Sequence, residues 1–111
     1  TARNYEQAFK LYSESAKQKN AAAQCNLGRM YKLGRGTDQS YKDALDLFLK
    51  AAENNNADAL YEIGLCYEYG EGVEQNIKKA KKWYQRAAVR GNERARLRLK
   101  LRDELRAPDL S

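Results

Sequence analysis

The sequence contains no histidine and only two cysteines, Cys25 and Cys66. Histidine is the usual acid–base group and the usual partner of a serine or cysteine nucleophile, so its absence removes those routes to catalysis. Two cysteines are too few for a disulfide framework, and they form no CxxC or Cys/His spacing for zinc. The carboxylates are scattered, and no pair of them stands out. We therefore predict that the protein is not an enzyme and has no catalytic, cofactor-binding or metal-binding residues.

No apolar run approaches the length of a membrane span, the N-terminus is polar, and the single proline is Pro108. The first two features argue against a transmembrane helix and a signal peptide. Together with the lack of a disulfide pattern, they favour a cytoplasmic location. Because proline is the main helix breaker and Ala, Leu, Lys, Arg and Glu are abundant, the composition predicts an all-α protein.

The net charge of +6 is unevenly distributed along the chain. Residues 76–111 hold twelve basic and four acidic side chains, whereas residues 1–75 hold nine basic and eleven acidic ones. A basic region of this kind can attract nucleic acid, anionic lipid or an acidic protein. The alternative is a solvated helix face that keeps the protein in solution, and the charge pattern leaves both interpretations open.

A shift of 36 residues superimposes the sequence on itself without any insertion. Each period contains two stretches with apolar residues at spacings of three and four, which is typical of amphipathic helices. Glycine at one phase within the first stretch indicates a close approach of a neighbouring helix. The aligned sets include Ala8, Ala44 and Ala80; Tyr12, Phe48 and Tyr84; Asn20, Asn56 and Asn92; Ala23, Ala59 and Ala95; Gly28 and Gly64; and Tyr31 and Tyr67.

These patterns predict six helices, near residues 3–18, 21–33, 41–54, 57–69, 77–90 and 93–106. We interpret 1–20 as the second helix of a truncated repeat, 21–56 and 57–92 as full repeats, and 93–111 as a capping helix with a tail. Pro108 is consistent with a helix end soon after Arg106. The whole is one domain, expected to come from a longer array in which each repeat contacts only its neighbours.

Two glycine pairs, Gly34 with Gly36 and Gly70 with Gly72, follow the first helix of each repeat. One such pair alone could cradle a phosphate, although a P-loop also requires a lysine and a serine or threonine after its glycines. Two copies at the same phase, each between two helices, indicate structural turns instead. Gly34 and Gly70 fit the left-handed position just past a helix C-terminus.

The second copy carries a specific combination of residues: Ala59, Ile63-Gly64, Tyr67, Gly70, Gly72-Val73, Lys79-Ala80, Trp83-Tyr84, Ala87-Ala88 and Gly91. This combination resembles the Sel-one-like repeat family, which is related to tetratricopeptide repeats. The upstream copy departs from the family pattern with Thr37 in place of valine and Asn54–Asn56 around the glycine position. The resemblance extends from residue 5 to about residue 95.

The resemblance implies a right-handed α-α superhelix of antiparallel helix pairs that serves as a non-catalytic adaptor for protein complexes. Some cysteine-rich relatives close each repeat with a disulfide. Cys25 and Cys66 lie at different phases of the period, so that arrangement does not transfer to this chain.

By analogy with tetratricopeptide arrays, the first helix of each pair lines the concave face, and its stripe away from the packing positions is predicted to contact a partner. The predicted partner-binding residues are Arg29, Lys32, Leu33, Tyr61, Leu65, Glu68, Tyr69, Arg94, Leu97, Leu101 and Leu105. The apolar members form a strip rimmed by charge, which often marks a protein contact. The strip is either a groove for a partner helix or peptide, or a contact of the last helix with a cap, a further repeat or another copy of the chain.

The expected partners are therefore proteins, whose identity the sequence does not give. Nucleic acid is disfavoured because the repeat assigns Trp83 and Tyr84, the aromatic residues of the basic run, to the core rather than to a stacking platform. Membrane contact would occur only through peripheral charge. Self-association through the terminal helices is a further alternative.

Overall fold

The chain folds into six α-helices and, over the residues described, no strand. The computed structural model describes the backbone of residues 2–106 and the side chains of residues 3–101. The predicted helices are all present, and the predicted ends differ from the observed ones by at most two residues. The helices are α1 (Ala2–Lys17), α2 (Ala21–Leu33), α3 (Tyr41–Ala52), α4 (Ala57–Tyr69), α5 (Ile77–Val89) and α6 (Glu93–Arg106).

Asparagine at the recurring position starts each of α2, α4 and α6. The Asn20 side chain accepts a hydrogen bond from the Ala23 amide at 3.0 Å, and Asn56 and Asn92 make the equivalent bond at 2.9 Å. Ser40 and Asn76 cap α3 and α5 in the same way. A side-chain oxygen at this position satisfies an amide that has no partner within the helix, which explains why asparagine recurs every 36 residues.

The glycine pairs end the first helices and connect each repeat to the one before it. Gly34 and Gly70 cap α2 and α4 with φ of 66° and 69°, in the left-handed region. Gly36 and Gly72 are also left-handed, and each lies against the start of the preceding second helix. A Cβ on Gly72 would lie 2.6 Å from the carbonyl oxygen of Tyr41. The first glycine of each pair is therefore favoured by its left-handed backbone, and the second also by its close contact with the preceding helix.

Consecutive helices pack against each other along an elongated body of 55 × 24 × 24 Å. We call α2, α4 and α6 the first helices, and α1, α3 and α5 the second helices. Gly28 of α2 meets the ring of Phe48 of α3, and Gly64 of α4 meets the ring of Tyr84 of α5. The aromatic ring of a second helix thus lies on the glycine of the first helix that precedes it, in two successive copies. This arrangement is an α-solenoid, as the repeat predicts.

Candidate interaction surface

The three first helices lie side by side and are joined by polar contacts between their side chains. Arg29 of α2 donates to Glu62 of α4 at 2.9 Å. At the start of α6, the Asn92 Nδ2 donates to Asp58 of α4 at 3.0 Å. Arg98 of α6 forms an ion pair with Glu68 of α4 at 3.3 Å. We call the surface formed by this row of helices the first-helix face.

The charges on this face are paired within the chain between α2 and α4. Lys32 approaches Glu62 at 3.2 Å and Glu71 at 3.8 Å, and Arg29 approaches Asp58 at 3.9 Å. The Glu62 side chain is only 7% exposed. Burial by itself would lower the pKa of Lys32, but its proximity to Glu62 outweighs burial and raises that pKa. These cations are therefore engaged in joining two repeats.

A second network joins α4, α5 and α6. The Tyr84 hydroxyl donates to Glu68 at 2.6 Å, and Arg98 donates to the Tyr69 hydroxyl at 2.6 Å while pairing with Glu68. Burial, reinforced by the bond to Glu68, raises the pKa of Tyr84 above its ordinary value. The hydrogen bond to Tyr69 raises the pKa of Arg98, so this guanidinium stays charged. The network fixes α6 against the preceding repeat.

The predicted partner-binding residues fall into three groups by exposure, apart from Leu105. Those that are exposed are Leu33 at 54%, Tyr69 at 55%, Leu97 at 58%, Leu101 at 55%, and Arg94. Arg29 and Lys32 are partly buried and paired, and the side chain of Leu105 lies outside the described residues. Tyr61, Leu65 and Glu68, which we predicted on the exposed stripe, are buried at 7%, 8% and 8% exposure.

The burial of Tyr61 and Leu65 follows from the central position of α4. The Tyr61 ring lies 5.8 Å from the Tyr84 ring of α5, and Arg98 of α6 is also a neighbour of Tyr61. At the equivalent position of α2, Cys25 is 2% exposed beside residues of α4. The part of the stripe that appears free when one helix is considered alone is thus covered by the helices that follow it, which for Tyr61 are α5 and α6. Among the described residues, the two positions held by Tyr61 and Leu65 in α4 are exposed only in α6, where Leu97 and Leu101 occupy them.

Sequence reasoning missed Glu62 and Arg98, although both belong to the same phase of the repeat. This phase holds Asn26, Glu62 and Arg98 in successive copies. Glu62 receives cations from the preceding first helix, whereas Arg98 reaches an acid on the preceding first helix. The signal available in the sequence was a polar residue that recurs every 36 residues at a position enclosed between helices. Because its charge changes from copy to copy, each pair of adjacent first helices is joined by a different ion pair.

The side of α6 that faces away from α4 differs from the matching side of α4. Leu60 and Gly64 of α4, which are both buried, correspond to Arg96 and Lys100 of α6, which are both exposed. At Gly64 an added Cβ would overlap the Tyr84 ring. The positions through which α4 packs on α5 are thus occupied by exposed basic residues in α6.

Cys25 and Cys66 are both free and buried, and burial raises the pKa of each thiol from 9.0 to about 12. A thiol in this environment is protonated and unreactive at neutral pH. No group of His, Cys, Asp or Glu among the described residues could hold a metal ion. Within the same residues, no helix is both long and apolar enough to cross a bilayer.

The packing and the first-helix face define a helical repeat protein of the tetratricopeptide-like type. A model of the Sel1 repeat matches residues 1–20, 21–56 and 57–92. The chain belongs to the Sel1 repeat family. Proteins of this family generally mediate protein–protein interaction, and the repeat is a non-enzymatic scaffold.

Solved structures with the same fold include three bacterial proteins. A Sel1 repeat protein from Oxalobacter formigenes is 38% identical with a TM-score of 0.81, over 87% of this chain and 39% of that one. The protective antigen c5321 of uropathogenic Escherichia coli is 33% identical with a TM-score of 0.79, over 82% and 20%. Cysteine rich protein B of Helicobacter pylori is 26% identical with a TM-score of 0.73, over 78% and 65%. The chain thus spans less than two thirds of each, and no curated protein matches it.

Proposed function

We propose that this chain is a scaffold that binds an amphipathic helix or an extended segment of a partner protein on the first-helix face, alongside α6. The observation that carries the proposal is the exposure of Leu97 and Leu101, at 58% and 55%. The equivalent residues of α4, Tyr61 and Leu65, are 7% and 8% exposed because further helices cover them. Leu97 and Leu101 therefore occupy positions that the repeat otherwise buries against a neighbouring helix.

The polar side of α6 supports a single docked helix in preference to a further repeat. Arg96 and Lys100 replace the leucine and glycine on which a second helix would have to pack. A partner helix beside Leu97 and Leu101 needs no such contact. On this view α6 ends the array on the side of the second helices, while its side on the first-helix face stays accessible to a partner.

The neighbouring residues favour an apolar contact on this face. Tyr69 is 55% exposed, and its hydroxyl is held by Arg98, so the ring is already ordered before a partner arrives. Leu33 is the equivalent residue one repeat earlier and is 54% exposed. The adjacent Arg29 and Lys32 are paired within the chain, so among the exposed predicted residues of this face the tyrosine and leucine side chains outnumber the one cation, Arg94. Preordered aromatic and leucine side chains bind at a low entropic cost.

The test is quantitative affinity capture from the source cells with the 111-residue chain and two opposite variants, Leu101→Asp and Leu101→Lys. Both variants are expected to reduce capture of the specific partner at least about tenfold, since both place a charge in an apolar contact. Val89→Asp is the matched control, because Val89 is 88% exposed on α5. Equal capture by all four proteins would refute the proposal. Helical circular dichroism verifies that each variant is folded.

The basic region carries the second candidate function, which is binding of nucleic acid or an anionic membrane. The α5 cations Lys78, Lys79, Lys81, Lys82 and Arg86 form no ion pair among the described residues. On α6, in contrast, Arg96 pairs with Glu93 and Arg98 pairs with Glu68. Phosphate-mediated binding would weaken steeply between roughly 50 and 200 mM salt. Leu101→Asp would weaken such binding, and Leu101→Lys would strengthen it.

Self-association through the same leucines is a third outcome of the experiment. Sedimentation of the wild-type chain would then show a mass that increases with concentration, and either Leu101 variant would abolish that increase. A monomer that still captures a partner supports the scaffold proposal.

A further inference from the structure

A groove of about 730 Å³ lies between α1 and α3, on the side of the second helices. Its floor is formed by α2 through Gln24, Leu27 and Tyr31, and its walls include Ala16 and Leu47. The volume falls within the range of sites that bind small molecules or peptide ends. It shares no residue with the surface around Leu97 and Leu101.

The repeat itself shows why the groove is present in only one of the two copies described. Leu47 corresponds to Trp83, which is partly buried and packs on the core, and Gln24 corresponds to Leu60, which is 0% exposed. At the matching place between α3 and α5 there is a depression of about 420 Å³, and no α4 residue lines it. A large aromatic side chain thus fills in the second copy the space that Leu47 leaves open in the first, and the floor of the second copy is apolar.

Gln24 provides a poorly satisfied amide on the floor of the groove. The residue is 6% exposed, its Oε1 has no hydrogen-bond partner, and its Nε2 donates to the Ala16 carbonyl over a long 3.5 Å. Buried amide oxygens normally have a partner, so this one calls for an explanation. The terminal side-chain bond of glutamine turns readily, which allows Oε1 to meet a donor placed in the groove.

The rim of the groove is positively charged. Lys17, Lys19 and Lys50 line it, with Glu53 as the single acidic residue among its lining residues. None of the three lysines forms an ion pair within the part of the chain that the structure describes. The excess of positive charge favours an anionic ligand.

We propose that this groove binds the carboxyl-terminal end of a polypeptide whose last side chain is apolar. The apolar side chain lies on Leu27 and Leu47, and the terminal carboxylate lies among the rim lysines. The last peptide N–H donates to the Gln24 Oε1. A C-terminus carries an apolar group, a donor and a negative charge within one residue, which is the combination that the groove presents. The assignment does not depend on partner binding at the first-helix face.

The test is an NMR titration of the ¹⁵N-labelled chain with two pools of N-acetylated tetrapeptides that end in leucine. One pool has a free carboxylate and the other a carboxamide. The free acids are expected to shift the Gln24 side-chain signals and the Lys50 amide, and the carboxamides to bind about tenfold more weakly because the charge-assisted contacts are lost. Leu47→Trp, which copies the second repeat, is expected to weaken binding at least tenfold by filling the groove.

Two further variants keep the outcome decisive. Gln24→Leu copies Leu60, leaves the groove open and is expected to weaken binding severalfold by removing the acceptor. Val89→Asp, at a site 88% exposed and away from the groove, serves as the control that leaves peptide binding unchanged. The readout involves no residue of the first-helix face, so a failure of the scaffold proposal is distinguished from a failure of this one. Equal binding of acids and carboxamides, undiminished binding by Leu47→Trp, or no shift with either pool would each overturn the proposal.

Discussion

Replacing Gly28 by alanine tests the close contact that sets the spacing between first and second helices. A Cβ built on Gly28 lies 2.6 Å from Cε1 and 2.8 Å from Cδ1 of Phe48. Carbon atoms in contact are normally about 3.5–4.0 Å apart, so the ring would have to retreat by roughly 1 Å. Phe48 is 0% exposed, so its ring would have to move within the packed interior. The substitution therefore compresses a filled core.

Two opposing contributions determine the sign of the effect. Alanine in a helix interior is favoured over glycine by about 1 kcal/mol. Overpacking a filled core costs about 1–3 kcal/mol, and an enclosed ring is expected to be near the upper end of this range. We therefore expect Gly28→Ala to lower the free energy of unfolding by about 1–2 kcal/mol, measured by urea denaturation followed by helical circular dichroism. An increase in stability would refute the packing role of this glycine.

A double-mutant cycle isolates the contact. In a Phe48→Leu background the ring edge is absent, so Gly28→Ala is expected to become neutral or to stabilise by up to about 1 kcal/mol. An effect of the alanine that does not depend on residue 48 would show that the cost arises elsewhere in α2.

The remaining predictions concern the turns and the thiols. Lys19, Asn55 and Gly91 share one phase of the repeat, and all three have a left-handed backbone with φ of 63°, 58° and 91°. Lys19→Gly is therefore expected to raise the free energy of unfolding by about 0.5–1 kcal/mol, because the relief of left-handed strain exceeds the cost of the added chain entropy. A lower urea midpoint would contradict this, and Lys10→Gly at an exposed position in the middle of α1 is the matched control that should lose about 1 kcal/mol. Burial raises the pKa of Cys25 and Cys66 from 9.0 to about 12. Above pH 9.0 the folded state therefore retains two thiol protons that the unfolded state loses, so the free energy of unfolding should fall as the pH rises. Urea midpoints measured from neutral pH upward should fall less steeply in a Cys25→Ala/Cys66→Ala variant, and an unchanged slope would exclude the thiols as the cause.

The repeat period gave the helices, because each helix is determined by local periodicity and by its cap. Apolar residues at spacings of three and four placed all six helices within two residues of their ends. The recurring asparagine was visible as a pattern, and its capping role is a local interaction over three residues. The close approach at Gly28 was likewise predictable, since a recurring glycine inside a helix requires a reason.

The candidate surface was predictable only in part, because exposure depends on every neighbour of a helix. The stripe read from the period placed Tyr61 and Leu65 beside Leu97 and Leu101 on one exposed strip. In the structure the first two are buried and the last two are exposed, although each pair occupies the same phase. A helical period describes one helix and its immediate partner, whereas α4 also has neighbouring first helices on both sides.

The sequence by itself determined the family, the six helices and the turns, since these depend on residue type and spacing along the chain. The tertiary structure decided which charges are neutralised, as with Arg29 on Glu62 and Arg98 on Glu68, and which leucines remain exposed. It also produced the groove beside Gln24, which exists because Leu47 is smaller than the tryptophan of the next copy. These features join residues about 30 positions apart, and they depend on how one repeat is placed against the next.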